Sequence, residues 1–338
     1  MGQNTMKKKN YSLVFISLLI ILLILIVLTL CVGKYEISPL ECLSILFNLD
    51  RHSSEMTINV IWGLRLPRIL GAIIVGAALS VSGSAYQGIY RNPLISPDFL
   101  GVSSGACIGA AIAILLSLPS YLVSIFAFIG GIIAVIITSL IPALIKNRSN
   151  IMLILSGIIV SSLMSSILGL LKFIADPESE LASIVYWTMG NFSYISLKEL
   201  LPILSITIPS IVILILLSWW IDVVSIGESE AKSLGANTRL IKTIVIVCAT
   251  LLTSGSVCLA GTIGWVGLII PHFSRMLVGS SNKKIIPISA LLGAIFMLLV
   301  DTLTRTIGII EMPVSIMTGI IGAPFFIWLL IKRKDSIS

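Results

Sequence analysis

The sequence predicts an all-α integral membrane protein of ten transmembrane helices. Three observations lead to this prediction: long apolar runs separated by short polar breaks, a mean hydropathy of +1.10, and a charged fraction of only 11%. A run of about 20 apolar residues spans the hydrocarbon core of a bilayer as a helix. Because the runs do not alternate with period two, they are not typical of the strands of a membrane β-barrel.

The ten predicted segments follow one another closely and form a single domain, residues 1–338. Their approximate bounds are 12–32, 67–87, 99–118, 121–144, 151–173, 201–221, 241–260, 264–280, 285–307 and 313–331. The first segment follows Lys7, Lys8 and Lys9 and so resembles a signal peptide. It is longer than a typical signal sequence core and no A-x-A-like cleavage site follows it, so we expect it to be retained.

The distribution of charge predicts that both termini lie in the cytoplasm. An even number of segments places the termini on one side, and this orientation puts most of the 22 Lys and Arg residues inside. The positive-inside rule therefore accounts for the net charge of +7 without a nucleic-acid partner. We expect a multi-pass protein of a bacterial or archaeal plasma membrane, with the lipid bilayer as its immediate surroundings.

Three connections between the segments are longer than turns. Residues 33–66 are predicted to lie outside, with Ser38 as a helix N-cap, Pro39 in the first turn and an amphipathic stretch to about Asp50. Residues 222–240 are predicted to lie inside as one or two short helices. Residues 174–200 form a further external connection.

Small residues recur in the second segment and in the stretch that follows it. They include Gly76, Gly83, Gly105 and Gly109. Small side chains let membrane helices approach closely. We therefore expect tight packing of the second helix against the third.

The inside connection contains a short helix between two glycines, Gly227 and Gly235. Ala231 and Leu234 are three residues apart, and we expect them to share one face of this helix. Such a helix suits docking into a groove on a soluble partner. A solvated connector is the alternative.

Glycines, a proline and two ionisable residues fall at membrane depth in residues 261–279. The residues concerned are Gly264, Gly267, Pro271, His272 and Arg275. Breaks of this kind are tolerated at depth only where backbone is buried in protein or lines a cavity. Ionisable residues at depth are costly and are functional candidates by default.

Two further sets of charged residues stand out. Asp301 and Arg305 are four residues apart in the ninth segment, so we expect them to pair, either as a structural ion pair or with a functional role. Arg65 and Arg68 begin the second segment on the outside, where they could pair with carboxylates of an external partner or with lipid headgroups.

Motifs for a phosphate-binding loop, for a zinc protease and for a cysteine pair are missing from the sequence. There is no GxxxxGK[ST] and no HExxH motif, and the five cysteines include no CxxC pair. We do not expect the two histidines, His52 and His272, to share a site. We therefore expect no enzymatic activity, no cofactor and no metal site.

Seven short motifs, in order and spacing, resemble the FecCD/BtuC-type permease subunits of ABC importers for iron chelates, haem and vitamin B12. They are RLPR (65–68), RNPL (91–94), LGVSSGA (100–106), WTMGNFS (187–193), GESEAKSLG (227–235), GTIGWVGLIIPHFSR (261–275) and EMPVSIMTGIIGAPFFIWLL (311–330). The resemblance covers about residues 62–332. Ser315, where the family usually has Gly, and Trp265, where Phe is commoner, are small departures.

The resemblance implies the BtuC-like, type II importer fold, with ten helices per subunit and the pathway between two permease subunits. It also implies two cytoplasmic ABC ATPases, which hydrolyse the ATP, and an extracytoplasmic substrate-binding protein. Contact with the ATPase is implied for Gly227, Glu228, Ala231, Leu234 and Gly235. Docking of the binding protein is implied for Arg65, Arg68 and Arg305, and a cytoplasmic gate for Ser149 and Asn150.

The expected cargo is a ferric siderophore or another iron chelate, with haem, cobalamin and molybdate as alternatives. The second permease subunit could be a copy of this chain or a sister protein. An ion-coupled secondary transporter is the alternative of another class. It would need carboxylates at membrane depth, and only Asp301 is a clear candidate. A non-transporting scaffold would not account for the glycine-rich breaks.

Overall fold

The computed structural model describes residues 10–47, 54–146, 149–307 and 310–334, without the side chains of residues 329, 330 and 332–334. The basic residues Lys7, Lys8 and Lys9, His52 and the predicted helix end near Asp50 lie outside the described residues. The described part of the chain is helical and contains no strand.

The helices in chain order are α1 (Tyr11–Cys31), α2 (Pro39–Leu46), α3 (Glu55–Asn59), a π-helical turn (Val60–Arg65), α4 (Leu66–Tyr90), α5 (Val102–Leu115), α6 (Ser120–Leu144), α7 (Asn150–Ile174), α8 (Glu180–Met189), α9 (Leu197–Leu216), α10 (Ser218–Val224), α11 (Glu228–Ser233), α12 (Thr238–Ala260), α13 (Val266–Val278), α14 (Asn282–Thr306) and α15 (Val314–Lys334).

Each of the ten predicted segments coincides with one of these helices. Among the described residues, seven helical stretches are long and apolar enough to cross a bilayer, namely α1, the stretch from α3 to the end of α4, α6, α7, α9, α12 and α14. The other three predicted segments correspond to the shorter apolar helices α5, α13 and α15. The all-α membrane fold is confirmed, whereas ten complete crossings remain a prediction.

Local signals in the sequence explain where helices begin. Ser38 accepts a hydrogen bond from the backbone N–H of Glu41, with Pro39 in the first turn of α2, as predicted. The Ser196 hydroxyl accepts from the N–H of Glu199, whose carboxylate accepts from the N–H of Ser196 in return. This reciprocal cap satisfies two donors that the first turn of α9 leaves free.

Helix α4 forms the centre of the bundle, and α12, α13 and α14 pack around it. Of its most apolar stretch, 83% is buried, against 17% for α7. Polar side chains on α4 therefore find their partners inside the protein, whereas α7 presents apolar side chains outward, as a lipid-facing helix does.

The small residues permit close helix contacts, but not the predicted ones. A Cβ atom at Gly76 would overlap the carbonyl of Gly293 on α14, and one at Gly83 would overlap Gly267 on α13. A Cβ atom at Gly105 on α5 would overlap Gly130 on α6. The expectation that the second helix packs tightly on the third through these residues is wrong. Periodicity identifies a small-residue face but not its partner, because long connections separate the helices that meet.

Candidate functional site

A group of charged and polar residues, most of them buried, joins the ends of α1, α4 and α14, and we call it the arginine cluster. It consists of Arg65, Arg68, Ser193, Asp301, Arg305 and Glu311. The Arg68 Nε donates to Asp301 Oδ1 at 2.8 Å, and its Nη1 donates to Glu311 Oε2 at 2.9 Å. The same Nη1 also donates to the Ser193 hydroxyl at 3.0 Å. One guanidinium thus binds two carboxylates from different segments, which is the geometry that its planar fork favours.

Asp301 and Arg305 do not form the ion pair that their spacing suggests. The ion-pair partner of Asp301 is Arg68, and the Arg305 guanidinium instead donates to the Thr29 carbonyl oxygen. Thr29 lies in the last turn of α1, where carbonyl groups have no partner within the helix. Arg305 therefore satisfies the end of α1, and its position on the same face as Asp301 does not bring the two groups together.

Arg65, at the start of α4, likewise donates hydrogen bonds to carbonyl groups at the end of α1. Its guanidinium donates to the carbonyl oxygens of Leu30, Cys31 and Tyr35, the second at 3.2 Å. Arg65, Arg68 and Arg305 are only 6%, 9% and 8% exposed. Because all three are engaged inside the subunit, their docking role remains a prediction, and a docked protein would have to compete with the internal contacts.

Glu311 is the most accessible carboxylate of the arginine cluster, since 37% of its side chain is exposed. It lies in the connection between α14 and α15. Partial burial acts to raise its pKa, but the donated hydrogen bond from Ser193 and the charge of Arg68 outweigh this and lower the pKa. Glu311 therefore stays ionised and holds the outer side of Arg68.

A second polar site, which we call the lysine pocket, lies at the other end of α4. It is a cavity of about 280 Å³. Its lining residues are Ile89, Arg91, Ser149, Asn150, Val224, Gly227, Glu228 and Lys242. Arg68 and Arg91 are separated along α4 by about 35 Å at 1.5 Å per residue. The structure thus brings the predicted gate residues Ser149 and Asn150 together with the predicted coupling residues Gly227 and Glu228.

Lys242, in the second turn of α12, connects the two predicted sites. Its ammonium group forms an ion pair with Glu228 Oε1 and donates to Asn150 Oδ1 at 3.4 Å. The hydrogen bond from Lys242, followed by its charge, lowers the pKa of Glu228. Asn150 is the first residue of α7, and Ser149 caps that helix by accepting from the N–H of Met152.

The short helix in the inside connection forms as predicted, but its residues divide between two environments. Helix α11 follows Gly227, and Gly235 adopts a left-handed conformation with a φ of +80° just beyond its end. Ala231 is fully buried whereas Leu234 is 59% exposed. The expectation that they share a face is wrong, because the helix ends at Ser233 and Leu234 belongs to the turn. Leu234 is therefore the exposed apolar side chain of this segment.

The break between α12 and α13 has the close packing expected of backbone buried at depth. Gly267 packs so closely on the ring of Pro97 and on α4 that a Cβ atom would not fit. The Arg275 guanidinium donates to Gln87 Oε1, and Gln87 Nε2 donates to the Ile95 carbonyl oxygen at 3.1 Å. These contacts join α13 to α4 and to the connection after α4.

The other candidates of this break have varied environments. Pro271 is buried within α13, His272 is half-buried, and Gly264 is exposed in the connection before α13. Their roles in the pathway remain predictions. Among the described residues, no three His, Cys, Asp or Glu side chains come together in a way that could hold a metal ion.

Sequence reasoning missed two residues that organise the lysine-pocket end. The sequence predicts Lys242 only as one of the basic residues on the inside, and no motif marks Asp222. Asp222 Oδ1 accepts from the backbone N–H and from the side-chain amide of Asn282, each at 2.7 Å, and its Oδ2 accepts from the Ser281 hydroxyl at 2.8 Å. A carboxylate at the start of α14 satisfies free N–H groups there and complements the helix dipole. Only the tertiary contact between α10 and α14 reveals this role.

Several known proteins are similar to this chain over nearly its whole length. The chain matches the FecCD transport family over residues 21–332. It is 38% identical over 334 residues to the molybdate import system permease protein MolB of Haemophilus influenzae, which covers 97% of this chain and 98% of that protein. It is 36% identical over 336 residues to the Fe(3+)-citrate import system permease protein YfmE of Bacillus subtilis, covering 98% of each.

A solved structure is also similar over nearly the whole chain. It is an inward-facing conformation of a chain assigned to the metal-chelate type of ABC transporter. The two are 38% identical with a TM-score of 0.84, over 96% of this chain and 100% of the other. The family match covers far more than half of the chain, and the helices coincide with those that the sequence predicts. The protein belongs to the FecCD transport family and is a membrane permease of the ABC importer class.

Proposed function

We propose that this chain forms the transmembrane pathway of a binding-protein-dependent importer of iron chelates, with ferric siderophores as the principal cargo. Two permease subunits lie side by side, and two cytoplasmic ABC ATPases supply the energy. This chain carries no nucleotide-binding motif of its own. Its termini, α11 and the lysine pocket face the cytoplasm, and the arginine cluster faces outward.

The meeting of α11 with residues 149 and 150 at one cavity carries the proposal. A permease must link movement at its ATPase contact to opening of the pathway, because coupling requires one element whose states both sites bias. Here the segment proposed to contact the ATPase and the segment proposed to form the gate line the same cavity. A secondary transporter would have no need for this arrangement.

The arginine cluster supports a proposal for how the binding protein docks. The outer side of Arg68 is held by Glu311, the half-exposed carboxylate. We propose that a carboxylate of the binding protein competes with Glu311 for this guanidinium. Arg65 and Arg305 contribute by fixing the end of α1 rather than through ion pairs of their own.

Molybdate is the second candidate cargo. The observation that favours it is the 38% identity to the Haemophilus influenzae molybdate permease over nearly the full length of both chains. The same family also includes relatives named for Fe(3+)-citrate and hemin transport, so overall identity does not select one cargo.

Uptake by a deletion strain tests the proposal. The strain is supplied in turn with radiolabelled iron on a panel of siderophores, citrate and haem, and with labelled molybdate and cobalamin. We expect loss of uptake for one class of iron chelate and its restoration by the gene. Loss of molybdate uptake alone would transfer the assignment to the second candidate. Undiminished uptake of every compound, in a strain without a related permease, would contradict an import function.

A further inference from the structure

We propose that Lys242 is the residue through which movement of α11 reaches the gate at residues 149 and 150. This inference rests on the proposed function and identifies a coupling residue outside the segments to which coupling or gating is assigned. Lys242 belongs to α12, a long spanning helix, whereas Glu228 begins α11 and Asn150 begins α7. One ammonium group therefore contacts the first residue of each of two helices that are 78 residues apart in the chain.

The side chains of Glu228 and Lys242 differ in accessibility in the order that transmission requires. The side chain of Glu228 is 58% exposed, whereas that of Lys242 is 18% exposed. Glu228 is thus accessible to a protein docked on α11, and Lys242 lies behind it at the wall of the cavity. A displacement of α11 changes the distance between the carboxylate and the ammonium group before it changes any contact of α7.

Lysine is suited to this position because its ammonium group has three donors on a flexible four-carbon stem. It can hold a carboxylate and an amide oxygen together, and it can follow one when the other moves. When Glu228 moves away, Lys242 has Asn150 as its remaining acceptor among the contacts described. The carboxylate and the Asn150 amide therefore share one cation, and the position of α11 sets how closely the ammonium group approaches each of them.

A second contact restrains the connection that precedes α11, so that movement is confined to α11 itself. Arg91, which ends α4 in a left-handed conformation, donates through its Nε to the carbonyl oxygen of Ser225, just before α11. The connection that leads into α11 is thereby tied to the end of the central helix. Helix α11 can then pivot about this attachment, and the pivot changes the distance between Glu228 and Lys242.

The experiment uses the complete importer, with the ATPase and the binding protein, reconstituted in proteoliposomes and supplied with a labelled chelate that the parent complex transports. ATP hydrolysis and uptake are measured in the same vesicles. For Lys242→Met, which keeps the apolar stem and removes the charge, we expect hydrolysis within about twofold of the parent. We expect uptake per ATP to fall about fivefold or more, the lower end of allosteric coupling. Lys284→Met, an exposed lysine at the same end of the molecule, is the matched control and should transport normally.

A second readout distinguishes coupling from a structural role. In a Ser149→Cys background, labelling by a membrane-impermeant maleimide is compared between the nucleotide-free and ATP-bound complexes, after subtraction of labelling in the parent. We expect the two states to label at different rates when Lys242 is present and at equal rates in Lys242→Met. If Lys242→Met does not assemble with the ATPase, Glu228→Gln and Asn150→Ala take its place and should also lower uptake per ATP. Glu228→Gln removes the negative charge but keeps an acceptor oxygen, and Asn150→Ala removes the amide acceptor.

Normal uptake per ATP in these variants would overturn the inference, and so would a parallel loss of hydrolysis and uptake, which indicates a structural role. Failure of the proposed function is distinguishable because it concerns the parent. A parent complex that neither transports a chelate nor responds to its binding protein contradicts the function itself. A parent complex that transports, with a normally coupled Lys242→Met, contradicts only the role of Lys242.

Discussion

The arginine cluster and the lysine pocket hold similar kinds of charged groups in opposite ways. In the arginine cluster Asp301 is fully buried, and Arg68 binds it and Glu311 at hydrogen-bond distances below 3 Å. In the lysine pocket Glu228 is mostly exposed, and Lys242 stands beside a cavity of about 280 Å³. A buried ion pair resists movement because separating it leaves a charge without water. A pair whose carboxylate is mostly exposed can separate at less cost, because water solvates that carboxylate.

This difference indicates that the two ends of α4 and α14 serve different purposes. The arginine cluster fixes the end of α1 to the central helices, since Arg65 and Arg305 both satisfy its last carbonyl groups. At the lysine pocket the first residue of α11, Glu228, is held by a pair in which its own side chain is mostly exposed. Movement is therefore expected at the lysine pocket, and the arginine cluster should move as one body.

The largest expected effect is on stability at the arginine cluster. Asp301→Leu removes the buried partner of Arg68, and breaking a buried ion pair typically costs about 3–5 kcal/mol. Because Arg68 keeps Glu311, we expect a loss near the lower end of this range. The measurement is the midpoint of thermal unfolding of the purified protein in detergent, with yield from the membrane as a second indicator.

Two variants serve as controls for this prediction. Asp301→Leu combined with Arg68→Leu should recover much of the loss, since an apolar pair replaces a buried ionic one at small cost. Glu228→Gln should change stability by less than about 1 kcal/mol, because the Glu228 side chain is mostly exposed and the amide oxygen can still accept from Lys242. Equal losses for Asp301→Leu and Glu228→Gln would remove the contrast between the two ends.

The next effect concerns Gly235, whose φ of +80° is unfavourable for any residue with a Cβ atom. Gly235→Val places a β-branched residue there, which costs about 1–3 kcal/mol or forces the turn after α11 to change. We expect the protein to fold but to retain the ATPase about tenfold less well in co-purification. Gly63→Val is the matched control, because Gly63 has open space around it and an ordinary φ. Equal ATPase retention in both variants would refute a role for the α11 turn.

How far the sequence predicted these features depends on the range of the interactions. The ten apolar segments and the cap at Ser38 were predictable because hydropathy and helix capping depend on neighbouring residues. The partner of Asp301 was not, because Arg68 lies 233 positions away and the nearer Arg305 has a competing acceptor in Thr29. Lys242 was missed for the same reason. A lysine at the start of a membrane helix fits the positive-inside rule, and only the fold shows what it contacts.

A smaller effect is expected on docking at the arginine cluster. If a carboxylate of the binding protein competes with Glu311 for Arg68, then Glu311→Gln should strengthen docking about fivefold, and Glu311→Asp should leave it almost unchanged. Docking is measured as the dissociation constant of the binding protein from the importer in nanodiscs at low salt. Weaker docking of Glu311→Gln would mean that Glu311 itself contacts the partner and that Arg68 has only an internal role.

The smallest expected effect is on the pH dependence of coupling. Lys242 lowers the pKa of Glu228, so the ionic contact is fully present above the usual Glu pKa of about 4.3 and is lost only as pH falls below it. Uptake per ATP, expressed as the ratio of the parent to Lys242→Met, should therefore stay constant from about pH 6 to about pH 8. A ratio that falls toward 1 as the pH drops from about 7 to about 6 would show that Glu228 becomes protonated in this pH range. The pKa of Glu228 would then have to be raised, which contradicts an ion pair with Lys242.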